Sequence, residues 1–392
     1  MELFNSCSQR ELEMYYELID KFNVQPGNIT NVRSNDSGRI NKTIMLVMNH
    51  EGVGFRKYVL QKINVNVFKD PAALMNNINQ VTDFLRDQGE ITLHTYKVKK
   101  PVVSDSVYYD EEQKEYWRLY DFIDADVKDA VETAHDMYVL GDAIGDFSRA
   151  LANFDATKLV ETIPDFHNTA KRYSKFISTI SDSDNSRREA GYNEKGDKLD
   201  FANPCCYKDI DFICERKDIV GEIVYALREG KIPVRVSHND PKLNNVLFHK
   251  YTGKVLCFVD LDTVMPGSIL YDFGDAVRFC CNTASEEETN IEMVHFNVPY
   301  FKEFTEGFLK SMKDVITEEE VKLLVDSALL MTLELAIRFL DDHVAGNKYF
   351  GVPYDGKNLE RARVQIALVK AIEEKRAELE AIVSDLWNKL KA

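Results

Sequence analysis

Residues 232–262 read IPVRVSHNDPKLNNVLFHKYTGKVLCFVDLD, a strand-like island in a part of the chain whose other patterns are helical. Residues 232–237 alternate around Val234 and Val236 as a strand does, and a polar loop follows. Two short apolar runs then flank a turn at Tyr251-Thr252-Gly253-Lys254. Polar residues set between apolar strands are where sites tend to be built, because the strands hold them rigidly.

Inside the loop, His238-Asn239-Asp240 is followed by Asn245, giving the spacing HxDxxxxN. Phosphoryl transfer explains this pattern: an aspartate accepts or orients the proton of the attacking hydroxyl, and an asparagine one loop-turn later gives a neutral oxygen to a magnesium ion bridging the phosphates. A hard cation also needs a carboxylate from a neighbouring strand end. Asp260 meets that need, since it ends the run Val255–Val259, 20 residues after Asp240.

A second stretch, LYDFGDAVR at 270–278, contains Asp272-Phe273-Gly274, the tripeptide that holds magnesium in protein kinases. It follows the turn-prone MPGSILY and lies 27 residues past Asn245, whereas Asp260 lies 15 past it. Asp272 is therefore expected to cap or brace the segment leading into Ala276-Val277-Arg278, with Asp260 as the metal ligand. The chain has no HRD, no APE after the DFG, and no GxGxxGxV loop. Asn35–Asn41, which includes Gly38, sits between a helix and a strand, where a phosphate-covering loop would lie; with one glycine, an ordinary turn reads equally well.

The chain has 392 residues, 44% of them hydrophobic, with a formal charge of -16. The length allows two cores, and the acidic balance argues against a nucleic-acid partner. The amphipathic start, with Leu12, Tyr15, Tyr16, Ile19 and Phe22 at helical spacing, is not a secretory signal. No uncharged apolar run comes near the roughly 20 residues that a membrane span needs. Seven cysteines without a CxxC read as reduced thiols of a cytoplasmic protein.

Residues 1–123 form the expected strand-rich small lobe, with strands at 43–49, 56–63 and 116–120 and a helix opened by Asp70-Pro71. Residues 124–392 form the expected larger, mostly helical lobe, with helical patterns at 129–154, 318–345 and 359–391 and a loop at 182–209. The fold class is α+β.

SHNDPKLNNVLF, FVDLDTVMPGSILYDFGDAVRF, TIPDFHNTAKRY and YVLQKIN, in these relative positions, resemble the aminoglycoside phosphotransferase-type small-molecule kinases. Within that superfamily they are most similar to the bacterial N-acetylhexosamine 1-kinases. The resemblance covers nearly the whole chain. It implies a two-lobed, protein-kinase-like fold that binds ATP and transfers its γ-phosphoryl group to the anomeric hydroxyl of N-acetylglucosamine or N-acetylgalactosamine. By the same resemblance Asp240 is the base and Asn245 and Asp260 bind Mg2+. Tyr120, Asp121, Phe122 and Ile123 form the hinge whose backbone meets adenine, and Arg235, Arg338 and Tyr349 line the sugar pocket.

YVLQKIN offers both Gln61 and Lys62 where protein kinases carry a strand lysine, and alternation lets only one of them face the nucleotide. The paired helix has Asn76 where an ion-pairing glutamate would stand. Arg338 lies on an apolar helical stretch and needs a partner, for which Glu334 at i−4 competes with a sugar. His167 reads as a packing residue or a sugar contact. The competing functions are an aminoglycoside, choline or homoserine kinase on the same scaffold, and a nucleotide-binding pseudokinase.

Overall fold

The computed structural model describes residues 7–35, 40–128, 131–189 and 204–392. The chain divides into two compact units. The first comprises Met1–Val127, Asn153–Pro164 and Val246–Pro266; the second comprises Lys128–Ala152, Asp165–Asn245 and Gly267–Ala392.

The first unit opens with α1 (Gln9–Asp20), started by a capping box in which the Ser8 hydroxyl accepts from the Glu11 N–H and the Glu11 carboxylate accepts from the Ser8 N–H. An antiparallel sheet follows, built from β1 (Asn28–Asn35), β2 (Lys42–His50), β3 (Gly54–Lys62), β4 (Tyr108–Asp110) and β5 (Glu115–Asp121) in the order β1-β2-β3-β5-β4. Successive side chains on a strand point to opposite faces. Ile44, Leu46, Met48, Tyr58, Leu60, Trp117 and Leu119 share a core with Tyr15, Leu18, Ile19 and Phe22 of the α1 region. Each such side chain stabilises the fold by about 1.5–3 kcal/mol when buried. The other face carries Gln61 and Arg118, which are cross-strand partners.

Between β3 and β4 runs α2 (Pro71–Asp87), whose start follows from Asp70 accepting the Ala73 N–H at 2.9 Å and from Pro71 needing no N–H partner. The expected strands and the Asp70-Pro71 helix thus appear as β2, β3, β5 and α2. The unit also contains β6 (Asp126–Val127).

The second unit holds α3 (Ala134–Ala150), α4 (Thr169–Glu189), α5 (Pro204–Cys214) and α6 (Glu222–Arg228). After β7 (Arg235–Ser237), the island passes into the first unit as the hairpin of β8 (Val246–Phe248) and β9 (Val255–Phe258), with β8 also paired to β6. The chain returns through α7 (Ile269–Cys280), α8 (Val298–Met312), α9 (Glu318–Lys322), α10 (Leu324–Val344) and α11 (Lys357–Lys391).

Close helix approach in this unit requires glycine. A Cβ on Gly141 of α3 would stand 2.1 Å from the Phe304 carbonyl, and one on Gly307 of α8 would stand 2.2 Å from that of Tyr138. α10 is apolar nearly all round, the mark of a helix enclosed by its neighbours.

The loop expected at 182–209 is shorter than its polar composition indicates: α4 runs on to Glu189 and α5 begins at Pro204, with 190–203 outside the described residues. The hydroxyls of Ser174, Thr179 and Ser181 donate to carbonyls four residues earlier, so these polar side chains are satisfied within the helix. Among the described residues, no helix is long and apolar enough to cross a membrane.

Candidate active site

In the second unit, the HNDPKLNN loop leaves β7 and is held from both sides. Asp272 is fully buried, and both its oxygens face this loop. Oδ1 accepts from the Ser237 hydroxyl at 2.9 Å and the Asn239 N–H at 2.6 Å; Oδ2 accepts from the His238 N–H at 2.8 Å. The three letters of the DFG tripeptide therefore have separate structural duties inside α7. Asp272 braces the loop, Phe273 packs against Phe304 and Phe308, and Gly274 lets the backbone pass, since a Cβ there would stand 2.4 Å from the Ser327 carbonyl. The bracing acts on residues 237–239, not on the segment leading into Arg278.

From the other side, His167 meets the Asn239 carbonyl with Nε2 at 3.1 Å and Glu334 Oε1 with Nδ1 at 3.0 Å. Both neighbours are acceptors, so the ring donates at both nitrogens when doubly protonated. Asn239 is in the left-handed region, φ 64, which asparagine tolerates better than most residues.

Between these braces lies Asp240, with 28% of its side chain exposed and Lys242 Nζ at 2.9 Å. Burial pushes its carboxyl above the ordinary aspartate value; Lys242 opposes that shift and Asp275 adds to it. Asn245 donates through Nδ2 to the Asp240 carbonyl at 2.9 Å, which leaves its Oδ1 without a donor among the described residues. An amide oxygen so presented suits a hard cation. Lys242 was absent from the sequence-derived site, although its place two residues after Asp240 was a signal: a cation there can meet negative charge beside Asp240.

Near this loop, Glu334 is fully buried. Burial alone would raise its pKa, but the His167 ring, then Arg172 and Arg338, hold it down at about 2. Its second oxygen takes the Thr169 hydroxyl at 2.6 Å. Arg338 consequently is not hydrogen-bonded to Glu334. Its guanidinium lies 5.8 Å from the ring centroid of Phe166 and 5.5 Å from that of Phe350, with no hydrogen-bond acceptor among the described residues. Burial, then repulsion from Arg338, lowers the pKa of Arg172, which donates to the Phe166 carbonyl.

Tyr349 is 68% exposed beside Phe350, and the backbone N–H groups of both residues donate to Asp342 at 2.8 Å. Arg235 lies on β7. It forms a two-pronged pair with the buried Glu320 at 2.8 and 3.0 Å and also donates to the Val315 carbonyl.

In the first unit, Asp260 follows β9 in the left-handed region, φ 59 and ψ 51, with its side chain exposed. Aspartate is among the few non-glycine residues that tolerate it. Two residues on, Asp262 is buried against Arg118, with Nη1 to Oδ1 at 2.6 Å and Nη2 to Oδ2 at 2.9 Å. Gln61 lies on the same face as Arg118, and its Oε1 accepts from Arg118 Nε at 3.0 Å. Lys62 points the other way, to Glu115 at 2.9 Å. Asn41 is bonded to Asp262 at 2.6 Å, and Gly38 lies outside the described residues. A charged residue within the apolar strand YWRLY was the sequence signal for Arg118, because a buried guanidinium demands a partner.

At residues 120–123, the Asp121 N–H donates to the His94 carbonyl and the Phe122 N–H to that of Lys57, both at 3.1 Å. The Ile123 N–H has no partner among the described residues. Tyr120 is buried beside Arg118. No three His, Cys, Asp or Glu side chains cluster as a metal site among the described residues. The donors expected for a cation, an amide oxygen and a carboxylate, are those that magnesium combines with phosphate oxygens.

The phosphotransferase enzyme family matches residues 31–295. Among solved structures, the amicoumacin kinase hAmiN in complex with AMP-PNP, Ca2+ and Ami is 13% identical over 93% of each chain, with a TM-score of 0.57. A microcompartment-associated aminopropanol kinase is 10% identical, with 94% of this chain and 98% of that one covered and a TM-score of 0.57. The ethanolamine kinase of Plasmodium vivax is 12% identical, with coverages of 93% and 88% and a TM-score of 0.53. At these identities the likeness is one of fold.

Proposed function

The chain belongs to the phosphotransferase enzyme family, and from that premise we propose a magnesium-dependent kinase that transfers the γ-phosphoryl group of ATP to the anomeric (C1) hydroxyl of N-acetylglucosamine or N-acetylgalactosamine. The observation that carries the transfer reading is Asp240: a partly buried carboxylate with its pKa pushed up, beside Lys242, on a loop braced by Asp272 and His167. In this reading Asp240 takes the proton of the attacking hydroxyl, and Lys242 meets the charge on the transferred group. Asn245, through Oδ1, and Asp260 hold the cation. Bound there, a divalent ion neutralises phosphate charge. The Ile123 N–H meets the adenine edge. The AMP-PNP and Ca2+ of the amicoumacin kinase complex support a nucleotide and a divalent ion as ligands of this fold.

Catalysis then rests on positioning and charge neutralisation. An anomeric hydroxyl is more acidic than an ordinary alcohol, so it asks little of a carboxylate base. The uncommitted Arg338, flanked by two aromatic rings, supports an acceptor that offers oxygen, such as an acetamido carbonyl, over one that offers a positive charge. Tyr349 belongs to the same region, whereas Arg235 turns Nε and Nη2 to Glu320 and Val315.

The amino alcohols named for the aminopropanol and ethanolamine kinases support a second reading, a kinase of a cationic hydroxyl compound. A panel of free sugars, their methyl glycosides and amino alcohols, scored for ATP consumption, separates the two. N-acetylhexosamines are expected to react and their methyl glycosides to be inert, with a sugar 1-phosphate visible by phosphorus NMR. Turnover with amino alcohols alone would overturn the sugar reading. Nucleotide binding without turnover on any acceptor would mark a pseudokinase.

A further inference from the structure

In protein kinases, a strand lysine and a glutamate of the neighbouring helix form an ion pair that must be in place for activity. This chain has no such pair at the corresponding places. Gln61 occupies the strand position, and Asn76 on α2 is exposed. The first unit instead buries Arg118 against Asp262, with 2% and 4% of their side chains exposed. We propose that Arg118 and Asp262 are positioning residues that clamp the turn after β9, holding the Asp260 carboxylate where it binds the metal–nucleotide.

The donor count excludes direct phosphate binding by Arg118 in this arrangement. A guanidinium has five N–H donors. Nε donates to Gln61; Nη2 donates to Gln61 at 2.8 Å and to Asp262 at 2.9 Å; Nη1 donates to Asp262 at 2.6 Å and to Met75 Sδ at 3.6 Å. None is left over, so any effect on nucleotide passes through its partners, Asp262 and Gln61.

Asp262 is held along its whole length. Its carboxylate also accepts from Asn41, and its carbonyl accepts from the Thr162 hydroxyl at 3.1 Å. Two residues earlier, Asp260 is in the left-handed region, so the turn that Asp262 anchors is tight. Asn41 and Gln61 are thereby members of the clamp. Gln61 is itself fixed by donating to the Thr43 hydroxyl at 2.9 Å.

The inference rests on Asp260 as metal ligand, and its test separates the two. Arg118→Met alone leaves Asp262 buried and unpaired, which is strongly destabilising. The double variant Arg118→Met/Asp262→Leu removes both charges and restores an apolar contact. Calorimetric titration with Mg2+ and AMP-PNP is expected to show at least tenfold weaker binding in the double variant, at a melting temperature close to wild type. The magnesium needed for half-maximal turnover should rise by a similar factor. Wild-type affinity in the folded double variant overturns the clamp. If the double variant does not fold, Thr162→Val, which removes the hydroxyl that holds the Asp262 carbonyl, replaces it: binding weakened threefold or more supports the clamp, and unchanged binding overturns it. Asp260→Asn is titrated alongside. If it binds Mg2+ and AMP-PNP as wild type does, the metal-ligand reading fails and the clamp falls with it. If Asp260→Asn is impaired and the double variant is not, the clamp alone falls.

Discussion

A base must be charged to accept a proton, yet Asp240 sits where burial disfavours its charge. Its folded pKa therefore lies above the ordinary aspartate value near 3.9. Below that raised pKa the carboxyl is protonated and cannot act, so turnover should fall as pH drops through it, in a window above the ordinary aspartate range. Linkage has the opposite sign for the fold. The contribution of this carboxyl to stability is full below the ordinary value and is lost as pH rises through the raised one. Asp240→Asn is thus expected to lower turnover by about 10²–10⁴-fold. Its melting temperature at pH 7 should be equal to or higher than that of wild type, and nucleotide affinity should be unchanged. Near-wild-type turnover would remove Asp240 from the base role.

At the scale of elements, α7 and α10 hold the loop that carries Asp240. Asp272→Asn replaces an acceptor of three donors with an amide that can accept through one oxygen only. It should lower both the melting temperature and turnover while leaving the magnesium dependence of the residual activity unchanged. Asp260→Asn should do the reverse, raising the magnesium requirement steeply at nearly constant stability. Reversed outcomes would transfer the metal role to Asp272.

On α10, Glu334 titrates at about 2 in the fold, against 4.5 ordinarily. Because that pKa is depressed, the stability it brings is present above the ordinary value and lost as pH falls towards 2. Glu334→Gln should cost roughly 3 kcal/mol at pH 7. Denaturant titrations across pH should show this deficit shrinking below pH 4.5. A deficit independent of pH would mean that packing, and not charge, accounts for it.

For the whole molecule, a ligand that binds only the folded state raises stability by mass action, about 2.7 kcal/mol at 100 times its Kd. Mg2+ with AMP-PNP should therefore raise the melting temperature, and chelating the metal with EDTA should remove most of that gain. The Asp260→Asn variant should show little difference between the two conditions. An equal shift with and without metal in wild type would argue against a cation shared with the phosphates. The dense acidic charge of the chain, -16 overall, sharpens this expectation, since phosphate charge enters a molecule that does not favour it globally.

What the sequence determined alone was local. The alternation at 43–49 and 56–63 became β2 and β3, Asp70-Pro71 started α2, and the spacing of Asp240, Asn245 and Asp260 placed one loop and one strand end. Pleat and helix periodicity and cap chemistry act over a few residues, so a few residues encode them. Charge partners are not local. Glu334 was within reach of Arg338 one turn away, yet its carboxylate went to Thr169 and His167, more than 160 positions distant. Arg118 found Asp262 across 144 positions, and with it Gln61, not Lys62, came to share the face of the Asp260 turn. Only the tertiary fold decided these pairs. A buried charge binds whichever opposite charge is desolvated beside it with the best hydrogen-bond geometry, and chain spacing does not reveal which that will be.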